Sequence, residues 1–558
     1  MNKYLFICLL FCIVFPAILP AQESLKSIEE EYYDFLALQG LTERPTLNYR
    51  TFSDSLWTVD EDAAHPWQDN NLGAWRNLFG NFRMRVYGPE LFMSGNTAAP
   101  YGQNDGVLWQ GRGFNSLFKG GVRFEGYGIE LTLLPHFAFS QNAPFEIMQS
   151  HYKNEYGYFW GYVNPQSNSV GADAPQRFGD KPFFDWDFGD SEIRYTWKTL
   201  TIGFGTQPIW LGPAYINPIL HSNNAPVYPK FDIGLRRQEV RLPWLGWYLG
   251  DVEARLWVGR LTESDYFDND ASNDYTMFHG LAFAYAPSFL PGLTLFVNRV
   301  CLVDWEWENL KFIIPSNANT IEDQKASFGF SWIFPQAGFE VFGEIGIDDF
   351  VYGGYTPILS FIRHPFHTTV YTGGLRKTLN IKPEKSIYGE IIFESNWMEM
   401  TQDFQLQWPY SFYFHHLIIH GYTNRGQWLG NGSAPGGNSQ YLSFILYYPK
   451  GKSSFTIGRN NPDSNFIYKN AIDASAKDDD HLLQRRYFRK NKANFLVGIN
   501  TSYFLNSKLL LSGGMLYDLI INPVYYYDNE KDADGKDIFQ GNIYLHNFSF
   551  QLGIKVLL

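Results

Sequence analysis

The chain has 558 residues, a formal net charge of −13 and a pI near 5.4. That length suits two or three ordinary domains or one large barrel, and the sign of the charge argues against a general nucleic-acid binder. Aromatic residues make up 18% of it, with 36 Tyr, 48 Phe and 17 Trp, at a mean hydropathy of −0.26; many rings at modest hydropathy suit strands with one oily and one wet face, as in transmembrane β-barrels with aromatic girdles.

The chain opens MNKYLFICLLFCIVFPAILPAQES, with Lys3 before an apolar run from Tyr4 to Phe15 and a small residue at Ala21. This predicts a cleavable signal peptide over 1–21 and export from a bacterial cytoplasm. Cys8 and Cys12 fall inside it, so the mature chain keeps only Cys301 and no internal disulfide, which suits a bacterial exported protein. Beyond it no apolar run approaches the ~18 residues of a membrane helix. Next, Glu23 to Leu41 spaces Leu25, Ile28, Tyr32, Phe35 and Leu36 at three and four, with Gly40 to end the pattern. It predicts a helix packed under a barrel on the periplasmic side. The helical part is expected within 22–70 and the barrel within 71–558.

Period-two strands follow. SEIRYTWKTLTIGFGT sets Ile193, Tyr195 and Trp197 against Glu192, Arg194 and Lys198, turns, and continues with Leu200, Ile202 and Phe204. Its GFGTQP end has Pro208 where a dinucleotide fingerprint needs glycine, so Gly203 and Gly205 are expected on the wet face. DVEARLWVGR alternates Val252, Ala254, Leu256 and Val258 with Glu253, Arg255 and Trp257. Hairpins are predicted around Pro335–Gly338 and Asn506–Lys508. The last strand, NFSFQLGIKVLL, keeps Phe548, Phe550, Leu552, Ile554, Val556 and Leu558 on one face over about the length a tilted membrane strand needs. Short turns alternating with long loops predict an all-β fold, an outer-membrane barrel of about 16 to 18 antiparallel strands, rather than tandem sandwiches.

Catalytic signatures are absent: no H-E-x-x-H, G-x-S-x-G, Walker A or C-x-x-C occurs. The reading is therefore not an enzyme, with no cofactor and no metal. The trio His415, His416 and His420 is read as lumen or interface histidines, with His416 and His420 on one strand face. NEKDADGKD has Asp532, Asp534 and Gly535 of a calcium loop, but Gly541 stands where the closing glutamate belongs.

Two stretches remain as candidate binding surfaces. QRRYFRKNK places Arg485, Arg486, Arg489 and Lys490 around Tyr487 and Phe488 in an outer loop; arginine forks fit carboxylates and rings stack on sugars, although the same loop can face anionic lipid or pair with KDDDH at Lys477–His481. HGYTNRGQWLGNG, His420 to Gly432, can be a sugar platform, with Tyr422 and Trp428 stacking and Asn424 and Arg425 bonding. It can equally be an in-folded plug in which Arg425 pairs with a lumen acid such as Glu390 or Glu394.

GFGTQPIWLGPAYINPILHSNNAPVYP, Gly203 to Pro229, resembles the signature of the Wzi capsule-assembly family: Trp210, Gly212 and Pro213, then Ser222, Asn224, Ala225 and Pro226. Tyr422, Asn424, Arg425, Gly426, Leu429 and Gly430 resemble a second family stretch. Leu211 separates Trp210 from Gly212, where the family sets them side by side. The resemblance implies an 18-strand outer-membrane barrel that holds capsular or extracellular polysaccharide, here expected to be acidic, at the cell surface. Outer-membrane lipids are its surroundings, a capsule export channel is a candidate partner, nucleic acid is not, and a monomer is expected. The competing expectation is a porin passing small solutes.

Overall fold

A computed structural model describes residues 21–59, 64–70, 72–148, 150, 154–158, 172–314, 321–348, 357–399, 412–415, 417–467, 491–524 and 541–558. The signal peptide, the basic stretch Arg485–Lys490, His416 and the calcium-like loop lie outside the described residues.

One antiparallel sheet closes on itself with eighteen strands. In chain order they are β1 (Arg83–Asn96), β2 (Gly113–Gly126), β3 (Ile129–Leu133 and His136–Ser140), β4 (Phe183–Asp187 and Glu192–Trp197), β5 (Leu200–Gly205), β6 (Lys230–Arg241), β7 (Tyr248–Thr262), β8 (Tyr275–Pro287) and β9 (Leu293–Asp304). The circuit continues through β10 (Asp323–Phe334), β11 (Phe339–Asp348), β12 (Thr369–Lys382), β13 (Ile387–Trp397), β14 (Asn438–Tyr448), β15 (Gly451–Asn461), β16 (Ala493–Asn506), β17 (Leu509–Ile521) and β18 (Tyr544–Leu557). The seam pairs β18 with β1, Ile554 opposite Leu91. Closure satisfies every wall strand on both edges, which is what lets backbone cross lipid and what a row of sandwiches would not do.

Alternation decides the faces. On β18, Phe548, Phe550, Leu552 and Ile554 are exposed, whereas Asn547 and Ser549 are buried. On β7, Glu253, Arg255 and Trp257 point inward and are buried. Gly203 is also on the inner face: a Cβ there would strike the guanidinium of Arg194 at 2.6 Å. The oily belt faces lipid and the wet face is the lumen, as the sequence pattern predicts.

The lumen is filled. The N-terminal segment enters from the end with the short turns, periplasmic in such barrels. Its helix α1 spans Ile28–Leu38, capped by Ser27, whose hydroxyl accepts from the Glu30 N–H at 3.1 Å. It is shorter than the predicted Glu23–Leu41, the flanks being turn and extended chain. Rather than lying beneath the barrel, the helix is enclosed by its mouth. Tyr32, Phe35 and Leu36 pack with Tyr447, Phe504, Leu510 and Leu557 of the wall, while Glu29 pairs with Lys555 at 2.8 Å. From there the chain runs deeper, and Asn48 donates from its amide to Asn298 Oδ1 on β9 at 2.6 Å.

Arginine–carboxylate pairs weld this segment to the wall. Arg85 meets Glu23 at 2.6 Å, Arg44 bridges Asp34 and Glu340 at 2.7 Å each, and Arg255 and Arg236 converge on Asp54 at 2.7 and 2.6 Å. Buried charges persist only when paired in this way.

Candidate functional site

Above α1 the lumen is closed by two loops that fold inward. One, 206–229, joins β5 to β6 and carries the Trp210–Pro226 motif. The other joins β13 to β14, and its described residues, 398–399, 412–415 and 417–437, include His420–Gly432. The structure brings the two stretches together. Ser222 donates from its backbone N–H to Leu429 O at 2.8 Å and from its hydroxyl to Gly430 O at 2.7 Å. Asn224 donates to Trp428 O at 3.0 Å, and Asn424 donates to Pro226 O at 2.8 Å. Tyr422 and Tyr413 donate to Leu220 O and Ile219 O at 2.8 and 2.6 Å. Tyr413 stacks with Tyr422 and Trp428 at ring separations of 5.3 and 5.5 Å.

Each remaining motif residue has a local reason. Trp210 is fully buried, donates to Ala214 O at 3.0 Å, and lies below the cations of Lys26 and Arg50. Gly212 has φ +81°, donates to Asn48 Oδ1 at 3.0 Å, and a Cβ on it would meet Glu344 Oε2 at 2.6 Å. The inserted Leu211 is buried and pairs with Tyr49, extending the bridge between Trp210 and Arg50. Pro213 follows directly, and Ala225 is buried.

Of the predicted binding residues in this stretch, Tyr422 and Asn424 are buried and bonded to protein. Arg425 takes a left-handed backbone (φ +49°) and pairs with Asp185. The expected partners are engaged elsewhere: Glu390 holds Arg376 at 2.7 Å, and Glu394 accepts backbone N–H groups of Tyr215, Ile216 and Asn217. Arg425 sits toward the long-loop end, whereas those two acids meet the N-terminal side of the plug. His420 lies in a turn rather than on a strand and shares a 2.8 Å hydrogen bond between its Nδ1 and Thr276 Oγ1.

Trp428 reaches a cavity of about 600 Å³ at the long-loop end. Plug residues Asn224, Gln427 and Trp428 form its floor; Tyr101, Trp109 and Gln110 from 97–112 and Asp463 and Lys492 from other loops form its sides. Burial pushes the Asp105 carboxyl up to about 7 and that of Asp463 up to about 6, with hydrogen bonds from Gln110 and Tyr158 pulling the other way. By contrast, a void between α1 and the wall, near Lys26, Asp34 and Arg376, measures about 30 Å³, room for a water or two. Sequence reading did not single out 97–112, although YGQNDGVLWQGRG (Tyr101–Gly113) has the same glycine, amide and aromatic make-up as His420–Gly432; that shared composition was the available signal.

Residues 145–300 match the family model described as capsule assembly protein Wzi. The fold is similar to the solved Escherichia coli Wzi, described as an outer membrane protein involved in group 1 capsule assembly and a carbohydrate-binding β-barrel. Identity is 10% and TM-score 0.58, over 97% of this chain and 100% of that one. Pseudomonas putida OprB (9% identity, TM-score 0.35, 85% and 94% covered) and Acinetobacter baumannii OccAB2 (11%, 0.36, 84% and 97%) are similar at levels that carry no further argument. Comparison with curated proteins finds no match. With residues 145–300 matching the family model and a closed barrel like that of the solved Wzi along nearly the whole length, the chain is a bacterial outer-membrane β-barrel with a stretch similar to the Wzi capsule assembly family.

Proposed function

We propose that this barrel binds capsular or extracellular polysaccharide at the cell surface and anchors it there, as a lectin-like protein and not an enzyme. The observation that carries the reading is the outer cavity: about 600 Å³, floored by the interlocked loops and walled by rings, amides and carboxylates. Such a lining is what a sugar needs, since its C–H faces pack on rings and its hydroxyls bond to amides and acids. Trp428 and Trp109 are the contact rings in this reading. Tyr422 and Asn424 hold the floor in place, and Arg425 fixes its edge through Asp185. The basic stretch Arg485, Arg486, Tyr487, Phe488, Arg489 and Lys490 is added on sequence grounds as a second contact for anionic groups. The protein works as a monomer in outer-membrane lipid, with a capsule export channel as its candidate neighbour. The filled lumen supports an anchor over a solute porin.

The test is polymer partitioning. Cells with and without the gene are pelleted, and surface polysaccharide is assayed in pellet and medium. Transfer from pellet to medium at unchanged total synthesis is expected; an unchanged partition would sink the anchoring role.

A further inference from the structure

The cavity has a charge pattern of its own. Among the described residues its acidic lining groups are Asp105, Glu146, Asp463 and Asp518, and its cations are Arg112 and Lys492. Both cations are already engaged in part. Arg112 donates to the backbone carbonyls of Thr97 at 3.1 Å and Pro144 at 2.5 Å. The negative charges of Asp463 and Asp518 act on Lys492. Three of the acids, in contrast, accept from neutral donors. Asp105 accepts from the Gln110 amide at 2.7 Å, Asp463 from the Tyr158 hydroxyl, and Asp518 from the Asn494 amide at 3.0 Å. The second oxygen of Asp518 has no donor among the described residues.

Among the described residues, a carboxylate entering this space would meet four acids against two cations in a low-dielectric setting, a net repulsion that is the costly case for a buried ion. A hydroxyl entering it meets acceptors that bond more strongly because they are charged. We infer that the cavity receives uncharged sugar units, through hydroxyl donation to Asp105 and Asp518 and ring stacking on Trp109, and rejects uronate units of the same shape. This rests on the cavity being the glycan site. It also divides the labour on an acidic polymer: neutral units enter the cavity and charged units stay outside it.

The test uses full-length protein in detergent and paired probes made from the cells' own surface polysaccharide. One set of fragments has its carboxyls reduced to primary alcohols; the other has its primary alcohols oxidised to carboxylates. Ring stereochemistry is thus held constant while charge changes. By calorimetry at about pH 8.5, above the raised values of Asp105 and Asp463, and moderate salt, the reduced fragments are expected to bind at least tenfold tighter. The double variant Asp105→Asn with Asp518→Asn is expected to narrow that gap to under threefold, with barrel closure checked by heat-modifiable electrophoretic mobility. Oxidised fragments binding as tightly as reduced ones, in a manner lost on Trp109→Ala, would overturn the charge selectivity and leave the cavity as the site. If neither set binds, or binding ignores Trp109→Ala, the cavity reading itself falls and the inference with it.

Discussion

Arg255 of the barrel wall and Asp54 of the N-terminal segment form an ion pair at 2.7 Å, with both side chains buried. Arg255 also meets Asp232 at 2.6 Å and Asp54 also meets Arg236 at 2.6 Å. The segment is therefore part of the wall's charge network and not a loose tail.

Asp54→Ala leaves two arginines with one acid fewer in a dry site. Breaking a buried pair from one side costs about 3–5 kcal/mol. The expected outcome is a loss of that order in denaturant unfolding in detergent. A change below about 1 kcal/mol, the range of an exposed pair, would show that the segment is held by packing alone.

Acid should loosen the same segment. Burial by itself raises the Glu31 carboxyl, but the ammonium groups of Lys452 and Lys26 outweigh it and hold it down to about 2. Asp54 lies well below the usual carboxylate range because Arg255 and Arg236 outweigh its burial. A folded-state value depressed below the unfolded one gives stability that is complete above roughly pH 4–5 and is lost as pH falls toward the folded value. Glu23 of the same segment is pushed up to about 7 by burial and takes up a proton in the folded state between pH 7 and 5, so proteolysis near residues 21–59 is expected not to rise in that window and to rise below about pH 4. A rise centred near pH 6 would point to other groups.

Gly430→Ala tests the interlock. A Cβ there would lie 2.3 Å from the carbonyl oxygen of Ile219 and 2.3 Å from the Tyr413 hydroxyl, and backbone cannot swing aside as a side-chain tip can. The two loops must separate. Planar-bilayer recordings are expected to show little steady conductance for the parent protein and frequent openings for the variant. Large steady conductance from the parent would favour the porin reading.

Trp109→Ala removes a half-buried ring from the cavity side without touching the floor. Loss of one stacking ring is worth about 1 kcal/mol or somewhat more, so glycan affinity should fall roughly tenfold with unchanged thermal stability. Equal affinity in the variant would overturn the cavity as the glycan site.

The triple change Arg485, Arg486 and Arg489 to Ser addresses the basic stretch. Adhesion of anionic polymer is expected to weaken and to lose most of its salt sensitivity, since exposed charges are screened within about 10 Å at 0.1 M salt. Intact, salt-insensitive adhesion would dismiss the electrostatic contact.

The sequence made the wall legible because a strand's two faces differ at every step: Phe550 and Ser549 are neighbours with opposite surroundings, and no distant residue is needed to tell them apart. The helix was legible from Tyr32, Phe35 and Leu36, but its length was not, and neither was its enclosure. Glu29, Glu30 and Asp34 look like a solvent face until Lys555, Arg50, Arg44 and Arg376 are brought to them from far along the chain. Arg425 shows the same limit. Any lumen acid was a reasonable partner, and only the fold places Asp185 beside it. The meeting of Ser222 with Gly430, 208 residues apart, leaves no periodic trace, and the cavity depends on it.

The two interlocked loops spring from β5–β6 and from β13–β14, on opposite walls of an eighteen-strand circle. A polymer seated on their junction would be dragged sideways by flowing medium. Pull on a single loop would peel it from one hairpin, bond by bond. Pull on this junction is divided between two anchorages facing each other across the pore, and the hoop of strands between them carries it as tension around the whole circumference. For a tether that must resist shear, the crossbeam matters as much as the grip.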